Sequence, residues 1–594
     1  MRRRGTWAVG AVALALTVGT AAPASAAPKG GDTLDLTMLA TTDLHGRAQN
    51  WDYFADRTYA ERSGDTTGLA KVASVVDSVR QTRGEDSVFV VDNGDFLQGT
   101  PLTYYYAKQE PVTETGAEHP MAAAYDAIGY DAQVVGNHEF NYGLDLLDAY
   151  TDDVDHPVLG ANVIDEATGA PYQQPYTLHR MGVPGHKPVT VGILGLTTPG
   201  SAIWDKGNVE GRVRFEDMVE SAKQWVPVVD AQADVVVVLS HAGVGGTSSY
   251  GPDLPTENPT DVIARTVPGI DVMVVGHTHR DALSQVVRNE VSGQAVLLTQ
   301  PYRWGATVSQ VDIGLRKVRG QWDVVSTAAT ALRTRDAAES PEVLAATADA
   351  HARTVEYVNQ VVATSTAELS ARTSRYEDTA ILDFIQDVQT DTVDAALEGT
   401  DRADLPVLSI ASPFSREAVF PQGNVTVRDI AGLYIYDNTL EAVELTGAQV
   451  KAYLEHSARY FTQVPATGTV DPETITHAVV PGQPGGIPDY NYDILSGVDY
   501  DIDVSRPAGE RIVGLSYAGA PVADRDRFVV AVNNYRRSGG GGFPGIATAP
   551  VVYNEQQEIR QLLIDRAQAD KVIDPAGFFD ANWRLVRDGV PVLG

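Results

Sequence analysis

The sequence predicts an α/β chain that carries a second, α+β domain. Three observations lead there. Short apolar, β-branched runs alternate with segments of helical spacing through the first half. Several of those runs are followed at once by clusters of Asp, Asn, His and Gly. Beyond residue 364 the texture changes to Gly/Pro-rich loops and many tyrosines. A chain of 594 residues is also too long for one compact core, so more than one domain is expected.

The elements follow in order. Arg2, Arg3 and Arg4, the apolar stretch from Trp7 to about Ala22, and the small residues Ala24-Ser25-Ala26 read as a signal peptide over residues 1–26. The mature chain is then expected outside the cytoplasm, secreted, without a membrane span and as a monomer. Leu34–Ala40, Ser87–Val91, Gln133–Val135, Thr190–Leu196, Asp234–Leu239 and Asp271–Val275 read as buried strands. Leu69–Arg80 has apolar residues at helical spacing. Strands alternating with helices give an α/β domain over residues 27–338. A helix is expected over 339–363, either a linker helix or the last helix of the first domain, with Ser340 as N-cap, Pro341 at the first position and Leu344, Ala348, Val355, Val358 and Val362 along one face. Residues 364–594 form the second domain, with Phe528–Val532 among its strands.

Composition narrows the chemistry. The formal charge of −33 disfavours binding of nucleic-acid polymers. With no cysteine, thiolate metal sites and cysteine nucleophiles are excluded. A metal must sit on His, Asp, Glu, Asn or backbone oxygen.

Five polar clusters supply such ligands. Thr42-Asp43-Leu44-His45-Gly46, Asp92-Asn93-Gly94-Asp95, Gly136-Asn137-His138-Glu139, Ser240-His241-Ala242-Gly243 and Gly276-His277-Thr278-His279 each follow an apolar run. Loops at the carboxyl ends of strands in an α/β sheet converge on one crevice, so these residues can meet. A lone histidine behind a strand is ordinary. Five of the 12 histidines (45, 138, 241, 277 and 279) falling in such clusters is not. Imidazole and carboxylate ligands suit Mn²⁺, Zn²⁺, Co²⁺ or Fe²⁺, and a pair of such ions can clamp a phosphate and acidify a water between them.

In order and context, Asp43-x-His45, Gly94-Asp95, Gly136-Asn137-His138-Glu139, His241 and Gly276-His277-x-His279 resemble the signature of the calcineurin-like metallophosphoesterases. The resemblance implies two divalent ions. Asp43, His45 and His279 would hold the first, Asn137, His241 and His277 the second, and Asp95 would bridge. His138 and its neighbour Asn137 are the implied catalytic residues. His138 would stabilise the transition state or protonate the leaving oxygen.

The second domain resembles the C-terminal domain of the bacterial 5′-nucleotidase family, through Leu433–Leu440 and Asn533–Pro544. The implied substrate is a nucleotide. Tyr436 and Tyr535 could stack on its base, Asn438 could hydrogen-bond it, and Arg416 could steady a phosphate or sugar edge. Two departures resemble the branch of 2′,3′-cyclic-nucleotide 2′-phosphodiesterase/3′-nucleotidases. Asn141 stands where 5′-nucleotidases place an Asp beside the catalytic His, and Gly541 stands where they place a ribose-gripping Asp, which leaves space there. The expected activity is hydrolysis of 2′,3′-cyclic nucleotides to 3′-nucleotides and then to nucleoside. A 5′-nucleotidase or nucleotide-sugar hydrolase of the same fold is the alternative, and a non-catalytic nucleotide- or surface-binding protein is the alternative of another class.

Overall fold

The computed structural model describes residues 33–593 apart from Arg62, Thr247, Ser249, 251–253, Asp281, Ala282, Asp437 and 482–484. The signal-peptide segment lies outside the described residues.

The first half folds as two six-stranded sheets. One runs Gln321–Arg333, Thr307–Val318, Thr33–Thr41, Val88–Asp92, Ala132–Val134, Val158–Leu159. The other runs Leu283–Arg288, Ala295–Gln300, Val272–Val275, Val235–His241, Val189–Thr197, Tyr176–Met181. Their central strands pair in parallel: Leu39 lies opposite Val90, and Leu239 lies opposite Val274 and Gly195. The six strands expected from the sequence are all present, each within a residue or two of its expected bounds.

The sheets pack face to face. Met38, Phe89, Val91 and Val134 of one interleave with Ile193, Val237, Val274 and Leu297 of the other, all buried. Alternate residues on each strand face outward and are covered by helices. Leu69–Arg83, Pro120–Ile128 and Leu144–Asp153 cover the first sheet, and Met218–Asp230 and Thr260–Thr266 the second. Burial on both faces is why these strands read as nearly continuous apolar runs. It also leaves the carboxyl ends of the parallel strands as the one place where polar loops from both sheets gather.

The second half is built on a five-stranded sheet in the order Ile494–Ser496, Val407–Ala411, Arg527–Asn533, Thr439–Thr446, Val551–Glu558. Helices Ala380–Leu397, Gly447–Ser457 and Ile559–Asp570 pack around it, and one large core unites them. A second five-stranded sheet, centred on Asp499–Asp503 and Trp583–Arg587, closes the end of the chain.

The helix expected over 339–363 is two pieces, Pro341–Ala346 and Ala348–Val358, broken at Thr347. Thr347 Oγ1 donates back to the Val343 carbonyl at 2.8 Å and accepts from Gln49 Nε2 at 2.8 Å, so it is held against the first body at the break. Val362 does not lie on a helix face. It sits in the strand Val361–Ser365, which pairs with Gly423–Thr426. Ser340 occupies the N-cap position without capping a backbone N–H, and its hydroxyl donates to Glu342 Oε2. Val343 is buried in the first body's helical core and Val358 in the core of the second, so this segment spans both. No helix among the described residues is long and apolar enough to cross a membrane.

Candidate metal centre and substrate cleft

The five polar clusters come together at the carboxyl ends of the parallel strands. Asp43 N donates to Gly94 O, His45 N to Asp95 O and Gly46 N to Phe96 O, which zips the first two loops side by side. Gly94 and Gly136 permit the approach. A Cβ on Gly136 would lie 2.2 Å from Asp95 Oδ1, and one on Gly94 would lie 2.8 Å from His241 Nδ1. Glu139 locks the result from beneath. Its carboxylate, 1% exposed, accepts from Asp95 N, Phe96 N, Leu97 N and Gly136 N at 2.8, 2.7, 3.0 and 2.5 Å.

The backbone at these positions is unusual. Asp43, His45, Asp95, His277 and His279 all have positive φ, between 48° and 65°. Non-glycine residues enter this region at a cost of about 1–2 kcal/mol each. Its concentration on five proposed ligands marks a site where geometry is held against local preference.

The side chains form three overlapping ligand groups: Asp43, His45 and His279; His45, Asp95 and His138; Asp95, His241 and His277. His45 Nε2 is 3.0 Å from His279 Nε2 and 3.9 Å from Asp95 Oδ2. His279 Nε2 is 3.3 Å from Asp43 Oδ1, and His241 Nε2 is 3.0 Å from Asp95 Oδ2. Asp95 therefore stands between the groups. Carbonyls and a carboxylate behind the rings set which nitrogen faces inward. His45 Nδ1 donates to Gln98 O at 3.0 Å, His241 Nδ1 to Asn93 O at 2.6 Å, and His277 Nε2 to Glu257 Oε1 at 2.8 Å. The opposite nitrogen of each ring is thereby left to ligate. Trp204 stacks on His277 with ring centroids 5.6 Å apart.

The residues fit a metal pair on an observation independent of spacing. Asn137 Oδ1 is buried without a hydrogen-bond partner among the described residues, and His241 Nε2 faces Asp95 Oδ2 at 3.0 Å, out of line for a hydrogen bond. A buried amide oxygen left unpaired is costly unless a cation satisfies it. Electrostatics agree. Burial opposes charge on His241, yet Asp95 lifts it to about 10. Burial would raise Asp43, yet His279 brings it down to about 2. The pocket favours anionic carboxylates facing positive charge.

Comparison with known proteins decides the family. Residues 36–281 match the calcineurin-like phosphoesterase family and residues 361–548 the 5′-nucleotidase C-terminal domain. The chain is 33% identical to a 2′,3′-cyclic-nucleotide 2′-phosphodiesterase/3′-nucleotidase of Yersinia enterocolitica, over 96% of this chain and 90% of the relative. It is 31% identical to the Bacillus subtilis trifunctional nucleotide phosphoesterase YfkN, but spans only 40% of that protein's length. In fold it is similar to a Staphylococcus aureus protein described as a 5′-nucleotidase, at 24% identity and TM-score 0.74, over 93% of this chain and all of that one. This chain belongs to the 5′-nucleotidase family of calcineurin-like phosphoesterases. It is a metal-dependent phosphoester hydrolase.

The second domain of this phosphoesterase reaches the ligand cluster. Asn534 Nδ2 donates to the Trp204 carbonyl at 3.2 Å, which places Tyr535 one residue from a contact with the first domain. Tyr436 and Tyr535 are half-buried, and burial raises the phenol of each. Glu257, which holds His277, acts on Tyr535 as a nearby charge, and Arg303 acts on Tyr436. The two rings make no ring contact with each other among the described residues. Tyr490 stands beside Tyr436, with ring centroids 6.3 Å apart. Gly540 packs on Tyr535 so closely that a Cβ there would lie 2.5 Å from the ring.

Arg416 sits in an ion pair: its Nε donates to Asp489 Oδ2 at 2.8 Å and its Nη2 contacts His477 Nε2. One sequence expectation needs correction. The space above Gly541 is not open, because a Cβ there would lie 2.5 Å from Arg536 Nη1 and 2.6 Å from Asn491 Oδ1. Asn438 makes only a long 3.4 Å contact to Tyr434 Oη, while its carbonyl accepts from Ile559 N.

Sequence reading missed the supporting residues. Arg536 is fully buried; it binds Asp493 at 2.7 and 2.9 Å, the Gly540 carbonyl at 2.7 Å and the Tyr490 carbonyl at 2.9 Å, so it ties both loops of the tyrosine cluster. Glu139 was visible as part of a motif without an evident role. Gln98, Glu257, Trp204 and Asp205 carry no local signal at all.

Proposed function

We propose that this phosphoesterase hydrolyses 2′,3′-cyclic nucleotides to 3′-nucleotides and then releases phosphate from those. The observation that carries the reading is the meeting of a phosphate-type metal cluster with a tyrosine-lined second domain across the Trp204–Asn534 contact. The 2′,3′-cyclic-nucleotide 2′-phosphodiesterase/3′-nucleotidase activity of relatives matched over nearly their whole length supports the choice of ester, as does an amide, Asn141, beside His138. The residues are assigned as one set. Asp43, His45 and His279 hold one divalent ion; Asn137, His241 and His277 hold the other; Asp95 is shared. Residues 27–338 form the catalytic domain, 339–363 the connection and 364–594 the nucleotide domain. The leader over 1–26 supports export.

When bound, such a cation pair neutralises phosphate charge and acidifies water. The chain's own part is orientation and proton transfer. The His138 backbone N–H donates to Asp95 Oδ1 at 2.9 Å, and its ring lies against that of His45 with centroids 5.0 Å apart, beside the ligand cluster. Burial opposes charge on that ring, but Asp95 and the Asn141 bond raise its pKa. Once protonated, that ring can give its proton to the leaving ribose oxygen as the P–O bond breaks and water's oxygen bonds phosphorus. Tyr436 and Tyr535 then grip the base.

Initial rates on 2′,3′-cyclic AMP, 3′-AMP and 5′-AMP test the substrate. The first two should be preferred, and a strong preference for 5′-AMP would overturn it. His138→Ala should keep its metals and lose about 10²–10⁴-fold in kcat, as for loss of a general acid.

A further inference from the structure

His138 does not stand alone against Asn141. Its Nδ1 is 2.6 Å from Asn141 Oδ1, and Asn141 Nδ2 donates to Asp205 Oδ1 at 2.6 Å. Asp205 is 5% exposed. Its other oxygen, Oδ2, is buried with no hydrogen-bond partner among the described residues. Desolvation pushes this carboxyl up to about 7, although Asn141 and the His138 charge pull the other way. A buried carboxylate with one side-chain hydrogen bond and no ion pair in contact costs stability. Its place in the fold is nevertheless firmly built. Asp205 N donates to Ser201 O at 3.1 Å, its carbonyl accepts from Asn208 N at 2.8 Å, and Asn208 Nδ2 grips the Phe140 and Asn141 carbonyls at 3.0 and 2.8 Å.

We propose that Asp205 is a positioning residue for His138, acting through the Asn141 side chain. The inference rests on the role given to His138 above. Its logic is directional. A side-chain amide carries a donor and an acceptor on nearly identical atoms, so Asn141 alone could present either to the imidazole. Asp205 Oδ1 accepts from that NH₂, whether or not the unpartnered Oδ2 carries a proton. Asp205 therefore obliges the Asn141 NH₂ to face it, and Oδ1 must turn to His138. Oδ1 in turn obliges Nδ1 to carry a hydrogen. The ring is locked with Nε2 as its working nitrogen, the one that loses and regains a proton. Where a carboxylate stands directly beside the imidazole it sets the tautomer by itself; here an amide passes on the choice made by a carboxylate one residue further out.

The test uses metal-loaded enzyme and four variants: Asp205→Asn, Asn141→Asp, the double variant, and His138→Ala as reference. The substrates are 3′-AMP, whose ribose oxygen needs a proton on leaving, and p-nitrophenyl phosphate, whose phenolate does not. Asp205→Asn should lower kcat on 3′-AMP by about 10- to 100-fold, part of what a general acid supplies. KM and p-nitrophenyl phosphate turnover should stay within about twofold of the parent. ¹⁵N shifts of the His138 ring should show a mixture of tautomers in place of one. Asn141→Asp should be impaired, because two carboxylates then face each other, and Asp205→Asn added to it should restore activity by supplying a donor. The same substitution thus harms one background and helps the other, which loss of packing does not do. Equal losses on both substrates, unchanged ¹⁵N shifts, or Asp205→Asn harmful in both backgrounds would overturn the proposal. If His138→Ala itself leaves 3′-AMP turnover intact, the catalytic reading falls instead. Should Asp205→Asn fail to fold alone, the double variant and its ring shifts still decide.

Discussion

Glu139→Gln is the substitution whose consequence can be worked most directly from geometry. The carboxylate accepts four backbone N–H bonds, Oε1 from Phe96 and Leu97, Oε2 from Asp95 and Gly136. Glutamine is nearly the same size but keeps only one acceptor oxygen. Whichever way the amide turns, two of the four bonds are lost and an NH₂ group points at two buried N–H donors. Hydrogen bonds to a charged acceptor are worth about 1.5–3 kcal/mol each, so two lost bonds amount to about 3–6 kcal/mol. The damage is not spread evenly. Either amide orientation releases Asp95 N with Gly136 N, or Phe96 N with Leu97 N, and both pairs lie on the loops that carry Asp95 and Asn137. Metal affinity should therefore fall together with stability. Denaturant unfolding with and without added Mn²⁺, and calorimetric titration of Mn²⁺, would measure both. A variant within about 0.5 kcal/mol of the parent would refute the reasoning, since that is the size of a neutral surface change. A full stability loss with unchanged metal affinity would refute the claim that Glu139 shapes the site.

Three further outcomes are expected. Gly540→Ala places a methyl carbon 2.5 Å from the Tyr535 ring, so the ring must move; KM for nucleotides should rise by about tenfold, within the roughly 1–3 kcal/mol of one base–aromatic stack, while p-nitrophenyl phosphate is cleaved as before. Arg536→Lys cannot span Asp493, Gly540 and Tyr490 at once; it should destabilise the second domain by about 3–5 kcal/mol in chemical unfolding, the cost of breaking a buried pair. Asp383 is pushed from 3.8 up to about 8 by burial, with the Asp378 charge adding to it. A raised carboxyl favours the folded state at low pH and loses that advantage as pH rises through the folded value. Stability should thus decline between about pH 4 and pH 8 in the parent and less in Asp383→Asn, with melting curves diverging by about 1 kcal/mol or more at the alkaline end.

Much of the catalytic domain was legible because its signals are local. Buried parallel strands need apolar runs, and a strand end that carries a ligand needs Asp, Asn or His just after the run. The clusters that hold Asp43, His45, Asp95, Asn137, His241, His277 and His279, the proposed ligands, stand out for that reason, although they span most of the domain. The linker was misread at Val362 because an apolar residue after a helix continues the helical pattern whether or not the chain has turned into a strand. Gly541 was misread because a missing side chain implies room only if no neighbour fills it, and Arg536, close in sequence, folds back to do so.

The sequence by itself determined the α/β and α+β division and the five polar clusters behind the strands. Both follow from residue type and from spacing within one element, whereas the proposed ligand assignment and the tyrosines proposed for a base came from the family resemblance. Tertiary structure alone decided which atoms those residues present. The inward nitrogen of His45, His241 and His277 is chosen by Gln98, Asn93 and Glu257. The orientation of Asn141 is chosen by Asp205, 64 residues away. A hydrogen bond has a direction, and that direction is set by partners that meet only when the chain is folded.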